Sequence, residues 1–177
     1  MEVEGKYSYA GIGARSTPDS ILTVITKIAQ YLSEHNWALR SGGAMGADGA
    51  FAKGACGLYS SNKLRKLITT YKGDTCAASL SEEQLEMLRE IARKHNNGFD
   101  KKTEFVQSLL LRNVQIILGY FGNNPVRLVV CWTPGAQAVG GTGMGIRIAN
   151  TYGIKVHNLA DSETLKHVCT KVGAVML

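Results

Sequence analysis

This sequence of 177 residues has few prolines, no paired cysteines and no long apolar run. No stretch approaches the ~18 apolar residues that a membrane-spanning helix needs, and the start at Met1–Glu4 lacks the basic residues of a secretory signal. We therefore expect a cytoplasmic protein with no membrane contact. At this length one compact domain is expected, which buries roughly 70% of the surface of the unfolded chain.

The four cysteines lie far apart, and their spacing fits no zinc site. They are Cys56, Cys76, Cys131 and Cys169. A core of this size needs no disulfide bonds, so we expect structural thiols, no metal and no cofactor. The sequence also lacks G-x-x-x-x-G-K-[ST], G-x-S-x-G and H-E-x-x-H, which excludes a P-loop ATPase, a hydrolase nucleophile elbow and a zinc protease of that type.

Basic residues exceed acidic ones by 20 to 14, which gives a net charge of +6. Such a balance favours an anionic partner, although a charge that only keeps the protein soluble explains it equally well. The 20 glycines are more informative because they are clustered at three places in the sequence.

Strands and helices alternate along most of the chain. Strands are predicted at Tyr7–Ile12, Trp37–Ser41, Arg127–Trp132 and Ile154–Leu159, and helices after Pro18, from Ala47 to about Cys56, from Ser81 to His95, after Thr103, at Ile146–Tyr152 and from Asp161 to about Lys171. This order predicts an α/β fold with a doubly wound, mostly parallel, Rossmann-like sheet. We expect a single domain over residues 1–177, with a helical and basic insertion at about residues 57–104.

Three glycine-rich turns each follow a predicted strand and precede a predicted helix. They are Gly11–Arg15, Ser41–Asp48 and Gly140–Gly145. In an open parallel sheet such turns meet at the carboxyl edge of the strands, where ligands bind. Because glycine permits close backbone approach and a helix start offers free N–H groups, we expect a ligand that carries phosphate. Tight turns and close packing are the alternative explanation of these glycines.

These turns also carry a family resemblance. Together with Arg112-Asn113 and Cys131-Trp132-Thr133, they resemble the Rossmann-type domain of the DprA/Smf proteins and the LOG nucleotide hydrolases, which form the SLOG superfamily. The similarity is closest to the small, stand-alone DprA-like proteins of bacteriophages. It covers about residues 7–56 and 109–159, and it implies a nucleotide-binding fold without fixing the activity.

The LOG branch implies a hydrolase of nucleoside monophosphates with a catalytic Arg and Glu. Arg112 matches the Arg, but Arg147 occupies the position of the Glu, and a guanidinium neither stabilises an oxocarbenium charge nor activates water. The resemblance therefore implies a site that binds a nucleotide and has no catalytic residue, unless Asp48 or Glu104 supplies the acid. On this interpretation Arg147→Glu should raise hydrolase activity.

We expect a non-catalytic protein that binds or sequesters a nucleotide or a nucleotide-derived signal, as a bacteriophage protein directed against host defence would. The candidate binding residues are Gly11, Gly13, Ala14, Arg15, Ser41, Gly42, Gly43, Asp48, Arg112, Asn113, Trp132, Thr133, Gly140, Gly141, Thr142, Gly143 and Arg147. Within this set, the backbone N–H groups bind phosphate or ribose and the arginines neutralise charge. Asp48 either binds a hydroxyl or caps its helix, and Trp132 either stacks on a base or packs in the core.

Two further partners follow from the sequence. The DprA branch implies single-stranded DNA, for which Lys63, Arg65 and Lys66 supply charge. The segment Phe105–Leu118 is apolar on more than one helix face, which predicts a homodimer or a larger homo-oligomer.

Overall fold

The computed structural model describes residues 7–55, 65–67 and 80–174. Its strands are β1 (Tyr7–Gly13), β2 (Trp37–Ser41), β3 (Arg65–Leu67), β4 (Leu128–Trp132) and β5 (Lys155–Asn158). All neighbouring pairs are parallel, and the order across the sheet is β3-β2-β1-β4-β5. From β1 the chain adds β2 and β3 on one side, and it then crosses to the other side of β1 to add β4 and β5, so the strand order reverses between β1 and β4. That switch point is where open α/β sheets form their ligand crevice.

Helices cover both faces of the sheet. They are α1 (Asp19–Glu34), α2 (Ala47–Ala55), α3 (Glu82–His95), α4 (Glu104–Leu118), α5 (Gly140–Thr151) and α6 (Ser162–Val172). One apolar core joins the sheet to α1, α2 and α6, and a second joins it to α3, α4 and α5. The predicted α/β fold with a doubly wound parallel sheet in a single domain is thus confirmed.

The central strand β1 is apolar because both of its faces are covered. Tyr9 lies in the core under α1 and α2, whereas Ala10 lies in the core under α4 and α5, and both are fully buried. Gly11 leaves room for α2, since a Cβ at this position would lie 2.5 Å from the Phe51 ring. Gly11 therefore permits close packing of α2 on the sheet, and its predicted contact with a ligand remains a prediction.

Helix α5 begins at Gly140, six residues earlier than the predicted Ile146–Tyr152. Glycine disfavours helices by about 1 kcal/mol relative to alanine, which is why the sequence pattern indicates a loop here. Close packing explains Gly143 and Gly145 instead. A Cβ on Gly143 would lie 2.2 Å from the Ala138 carbonyl carbon, and one on Gly145 would lie 2.8 Å from the Ile12 side chain.

Helix α3 lies within the predicted insertion and packs in the core. Its Leu88 and Ala92 are fully buried beside α4. A capping box begins the helix, with the Ser81 hydroxyl accepting from Gln84 N–H at 3.1 Å. The helix ends at His95 as expected, but Asn96 is extended, and the left-handed residue is Gly98. Strand β3, which lies in the same predicted insertion, has no counterpart among the predicted strands.

The apolar character of α4 has an explanation within the chain. Six of its apolar residues are buried in the core: Leu110, Leu111, Val114, Ile116, Ile117 and Leu118. Contacts with α3, α5 and the sheet take up these faces, whereas Phe105 is 53% exposed. The structural reason for expecting a homo-oligomer is therefore weaker than the sequence implied, and the oligomer remains a prediction.

The two cysteines among the described residues behave as apolar side chains. Cys131 and Cys169 are buried and unpaired, and burial raises the pKa of Cys131 to about 12. Cys56 and Cys76 lie outside the described residues. Within residues 7–55, 65–67 and 80–174, no cluster of His, Cys, Asp or Glu is arranged to hold a metal ion. None of the helices in those ranges is long and apolar enough to span a membrane.

Candidate functional site

The carboxyl edge of the sheet brings the first two glycine-rich turns together. The Gly13 N–H donates to Asp48 Oδ1 at 3.1 Å, which ties the end of β1 to the start of α2. The next residue, Ala14, donates its N–H to the Trp132 carbonyl at 3.1 Å and so ties β1 to the end of β4. Both N–H groups therefore have protein partners, although Gly13 was expected to donate to a phosphate.

Asp48 is a buried carboxylate that braces two turns. Besides the Gly13 N–H, it accepts the Ala44 N–H at 3.4 Å, and the residue is only 6% exposed. Burial raises its pKa from 3.8 to about 6, although hydrogen bonds from Ala44 and Gly13 and the charge of Arg112 oppose the rise. Asp48 thus holds the ends of β1 and β2 together, and its predicted contact with a ligand hydroxyl remains a prediction.

Arg112 extends from α4 over the end of β2. Its Nη1 donates to the Gly42 carbonyl at 3.1 Å, whereas its buried Nε has no hydrogen-bond partner. Gly42 lies between the two charged groups, because a Cβ there would be 2.9 Å from Arg112 Nη2 and 3.0 Å from Asp48 Oδ2. Burial lowers the pKa of Arg112, Asp48 raises it and the charge of Arg15 lowers it again. The fold therefore holds two arginines and one carboxylate close together at this edge.

Helix α5 begins beside Arg112. Asn113, the next residue on α4, donates its Nδ2 to the Gly141 carbonyl at 3.3 Å. No side chain caps the start of α5 at Val139, and the first turn leaves the N–H groups of Gly140, Gly141 and Thr142 without intrahelical acceptors. Gly143 differs, because its N–H already donates to the Val139 carbonyl at 2.8 Å. We call the group formed by Arg15, Gly42, Asp48, Arg112 and the first turn of α5 the edge site.

Arg147 forms two hydrogen bonds with the protein itself. Its Nε donates to the His95 carbonyl at 3.1 Å, and its Nη1 donates to the Ala138 carbonyl at 2.8 Å. The first acceptor is the last residue of α3, and the second belongs to the loop before α5. Arg147 thus fastens α3 to that loop, and its place in the predicted ligand site is untested.

The other candidate residues described here differ in their exposure to solvent and in their hydrogen-bond partners. Arg15 and Gly43 are exposed at the edge, and Trp132 is half-buried against the core under α1 and α2. Ser41 is fully buried, and its Oγ has no hydrogen-bond partner. Thr133 is buried and accepts from Asn158 Nδ2 at 2.6 Å.

Sequence reasoning missed two residues that order this edge. Asn158, at the end of β5, accepts N–H groups from Thr133 and Ala160, and the buried Thr17 donates its hydroxyl to the Ala14 carbonyl at 2.7 Å. The position of Asn158 one residue before the end of the predicted strand Ile154–Leu159 was the available signal, because strand ends form this edge.

The sequence and the fold were compared with known proteins. No family model and no curated protein matches the chain. A solved structure of DNA processing protein A from Helicobacter pylori, studied for its mode of single-stranded DNA binding, is similar over 98% of this chain and 76% of that one, with 14% identity and a TM-score of 0.49. A likeness at this level carries no functional conclusion. The bacteriophage origin implied by the resemblance is not supported by these comparisons.

Proposed function

We propose that this protein binds a nucleotide-type anion at the edge site and does not cleave it. The observation that carries the proposal is the arrangement around Arg112. Among the described residues its guanidinium has no ion pair, donates to a neutral carbonyl and retains an unpartnered Nε. Asp48 is near enough to affect the pKa of Arg112 but forms no ion pair with it, so a phosphate oxygen would supply a charged acceptor in direct contact with the guanidinium.

The start of α5 supports the same ligand chemistry. Its three free N–H groups and its positive dipole end lie next to Asn113, one residue from Arg112. Arg15 adds a second positive charge, as its effect on the pKa of Arg112 indicates. The two arginines outnumber the single carboxylate, Asp48, so the site keeps a net positive charge. This charge favours a ligand with at least one phosphate.

Binding without cleavage is supported by the placement of the carboxylates. Glu104 is exposed and lies eight residues before Arg112 on α4, which separates the two by ~12 Å along the helix axis. Arg147 occupies the position of the family's catalytic Glu, and its guanidinium is engaged by two carbonyls. Asp48 is the one carboxylate in the edge site.

The test is native mass spectrometry of the purified full chain, followed by titration with AMP, cyclic di-AMP and any nucleotide that co-purifies. We expect a nucleotide that is bound stoichiometrically and released unchanged on denaturation. Arg112→Gln should weaken its binding by roughly 30-fold, because a hydrogen bond to a charged group contributes about 2 kcal/mol.

Arg127→Gln is the matched control, since Arg127 is exposed at the opposite end of β4, where its guanidinium stacks on the Tyr7 ring. It removes the same charge and should leave nucleotide affinity unchanged. Equal losses in the two variants would mean that net charge, not the edge site, binds the ligand. An empty protein that binds none of these nucleotides would refute the proposal.

One observation favours hydrolysis as a second function. Asp48 has a pKa of about 6, which suits a group that gives or takes a proton near neutral pH. In that case incubation with AMP would release adenine, and Asp48→Asn would abolish the release. Single-stranded DNA binding through Lys63, Arg65 and Lys66 remains a prediction, because those side chains lie outside the described residues.

A further inference from the structure

A polar cavity lies between the C-terminal ends of α3 and α5. Its volume is about 640 Å³, within the range of small-molecule sites. Seven residues line it: Lys94, His95, Asn96, Asn97, Arg147, Asn150 and Thr151. None of the seven is apolar or acidic, so the wall presents two cations, three amides, an imidazole and a hydroxyl group.

This cavity lies apart from the edge site. Gly141 faces α4, because a Cβ there would be 3.2 Å from an amide nitrogen of that helix. Gly143 lies about 200° further round α5. It faces Ala138, whose carbonyl also accepts from Arg147. The C-terminal end of α5, which supplies the rest of this wall, lies ~14 Å along the helix axis from Gly141. The cavity and the edge site therefore use different faces and different ends of α5.

Most of the polar groups in the wall are free to bind a ligand. Among the described residues, no hydrogen bond or ion pair engages four of the side chains: Lys94, Asn96, Asn97 and Asn150. Arg147 donates from Nε and Nη1 to two backbone carbonyls, which leaves its Nη2 without an acceptor in this part of the chain. All five residues are exposed or half-buried, so a molecule in the cavity can reach them.

The remaining two residues fix the shape of the wall. His95 is buried, and its Nε2 lies 3.0 Å from Thr151 Oγ1, which joins the end of α3 to the end of α5. The Arg147 guanidinium donates to the His95 carbonyl at 3.1 Å and so covers a group at the end of α3 that would repel an anion. The wall is thus held in place by the protein itself, and it keeps a net positive charge because it contains no carboxylate.

We propose that this cavity binds a phosphorylated sugar, with the phosphate on Lys94 and Arg147 and the hydroxyl groups on the asparagine amides. Two cations without a carboxylate favour a phosphate. An amide suits a hydroxyl group, because each of them both donates and accepts hydrogen bonds. The wall has no apolar side chain to hold a nucleobase. The ligand class therefore differs from that of the edge site, and either proposal can fail without the other.

Glucose-6-phosphate, glucose and inorganic phosphate are the probes. Each is titrated into the isotope-labelled full chain, and the side-chain amide signals of Asn96, Asn97 and Asn150 are followed by NMR. We expect glucose-6-phosphate to bind roughly 10-fold more tightly than either fragment, because it alone uses the cations and the amides together. Equal affinity for inorganic phosphate, or no shift at these amides, would overturn the proposal. So would stronger binding of a single-stranded oligonucleotide at the same amides.

Lys94→Gln and Lys171→Gln form a matched pair, because each removes an exposed lysine from the last turn of a helix. Lys94→Gln should weaken binding of glucose-6-phosphate by roughly 10-fold, the effect of losing one hydrogen bond to a charged group. Lys171→Gln, on α6, should leave the affinity unchanged. Equal losses would show that net charge binds the sugar phosphate, and an unchanged affinity in Lys94→Gln would contradict its contact with the phosphate.

Two further variants separate this cavity from the edge site. Asn150→Leu removes an exposed amide and should weaken binding of glucose-6-phosphate without changing the affinity for AMP. Arg112→Gln should do the reverse. Loss of glucose-6-phosphate binding in Arg112→Gln would place the sugar phosphate at the edge site and overturn the proposal, whereas failure of AMP to bind at all would leave this test of the cavity intact.

Discussion

Replacing Arg147 by glutamate is expected to destabilise the protein by roughly 2–4 kcal/mol and to release no free base from AMP. The guanidinium donates to the His95 and Ala138 carbonyls, and a carboxylate in its place would face two acceptors. It would also lie at the C-terminal end of α3, where the helix dipole disfavours negative charge. This expectation reverses the one drawn from the sequence, in which Arg147→Glu raises hydrolase activity.

Thermal or urea unfolding measures the loss of stability. Chromatography of AMP reaction mixtures shows whether adenine is released. Arg147→Met is the control, because it keeps an apolar stem of similar length and introduces no charge. It should cost less than Arg147→Glu, since it removes both hydrogen bonds without placing a carboxylate against carbonyls. A stable Arg147→Glu variant that releases adenine would show instead that the position is catalytic.

The sequence predicted strands and helices correctly where a local pattern of residues determines the structure. The bounds of β2 and the start of α2 at Ala47 agree with the predicted ones, because an apolar strand followed by glycines has few alternative structures. The helices predicted from Ser81 and from Asp161 are also present, and each of these residues caps its helix, Asp161 by accepting from Thr164 N–H at 2.8 Å. In each case the pattern lies within a few consecutive residues.

Features that depend on distant contacts were missed. Strand β3 has the sequence Arg-Lys-Leu and lies at the edge of the sheet, so neither alternation nor an apolar run marks it. The glycines at the start of α5 indicate a loop until the approach of Ala138 and Ile12 is known. Pairing of Arg147 with a carbonyl 52 residues away at His95 leaves no mark in the local sequence.

The same limit applies to the candidate site. The sequence predicted that Arg112, Asn113, Asp48 and the three glycine-rich turns lie at one edge, and contacts join members of all three turns there. The sequence did not show which backbone N–H groups at this edge are free to bind a ligand. The Gly13 N–H, for example, donates to the carboxylate of Asp48, which lies 35 residues away in the chain. The free groups at the carboxyl edge therefore belong mainly to α5, a narrower anion site than three equivalent turns would form.

Asp48 makes the stability of the protein depend on pH in the direction opposite to most carboxylates. Its pKa is raised by burial from 3.8 to about 6 in the folded protein. Between these two values the folded state binds more protons than the unfolded state, so the free energy of unfolding falls as pH rises. The proton on Asp48 thus stabilises the fold fully below about pH 3.8, and this contribution is lost as pH rises through about 6.

We expect the unchanged protein to gain stability relative to Asp48→Asn by up to about 3 kcal/mol between pH 7 and pH 4, which is the free energy equivalent of that pKa difference. Urea unfolding of both proteins at several pH values measures the gain, and their difference cancels the titration of groups they share. Asp161→Asn is the matched control. The pKa of Asp161 is lowered by its hydrogen bonds to Thr164, so the unchanged protein should lose stability relative to this variant as pH falls.

The same titration should affect the edge site. Protonation of Asp48 removes the negative charge near Arg112 and Arg15, so binding of inorganic phosphate or AMP should strengthen as pH falls from 7 to 5. In Asp48→Asn this dependence should disappear, apart from the titration of the ligand itself. If Asp48→Asn instead tracks the unchanged protein in both unfolding and binding, Asp48 is ionised throughout this range. Its hydrogen bonds from Gly13 and Ala44 would then outweigh its burial.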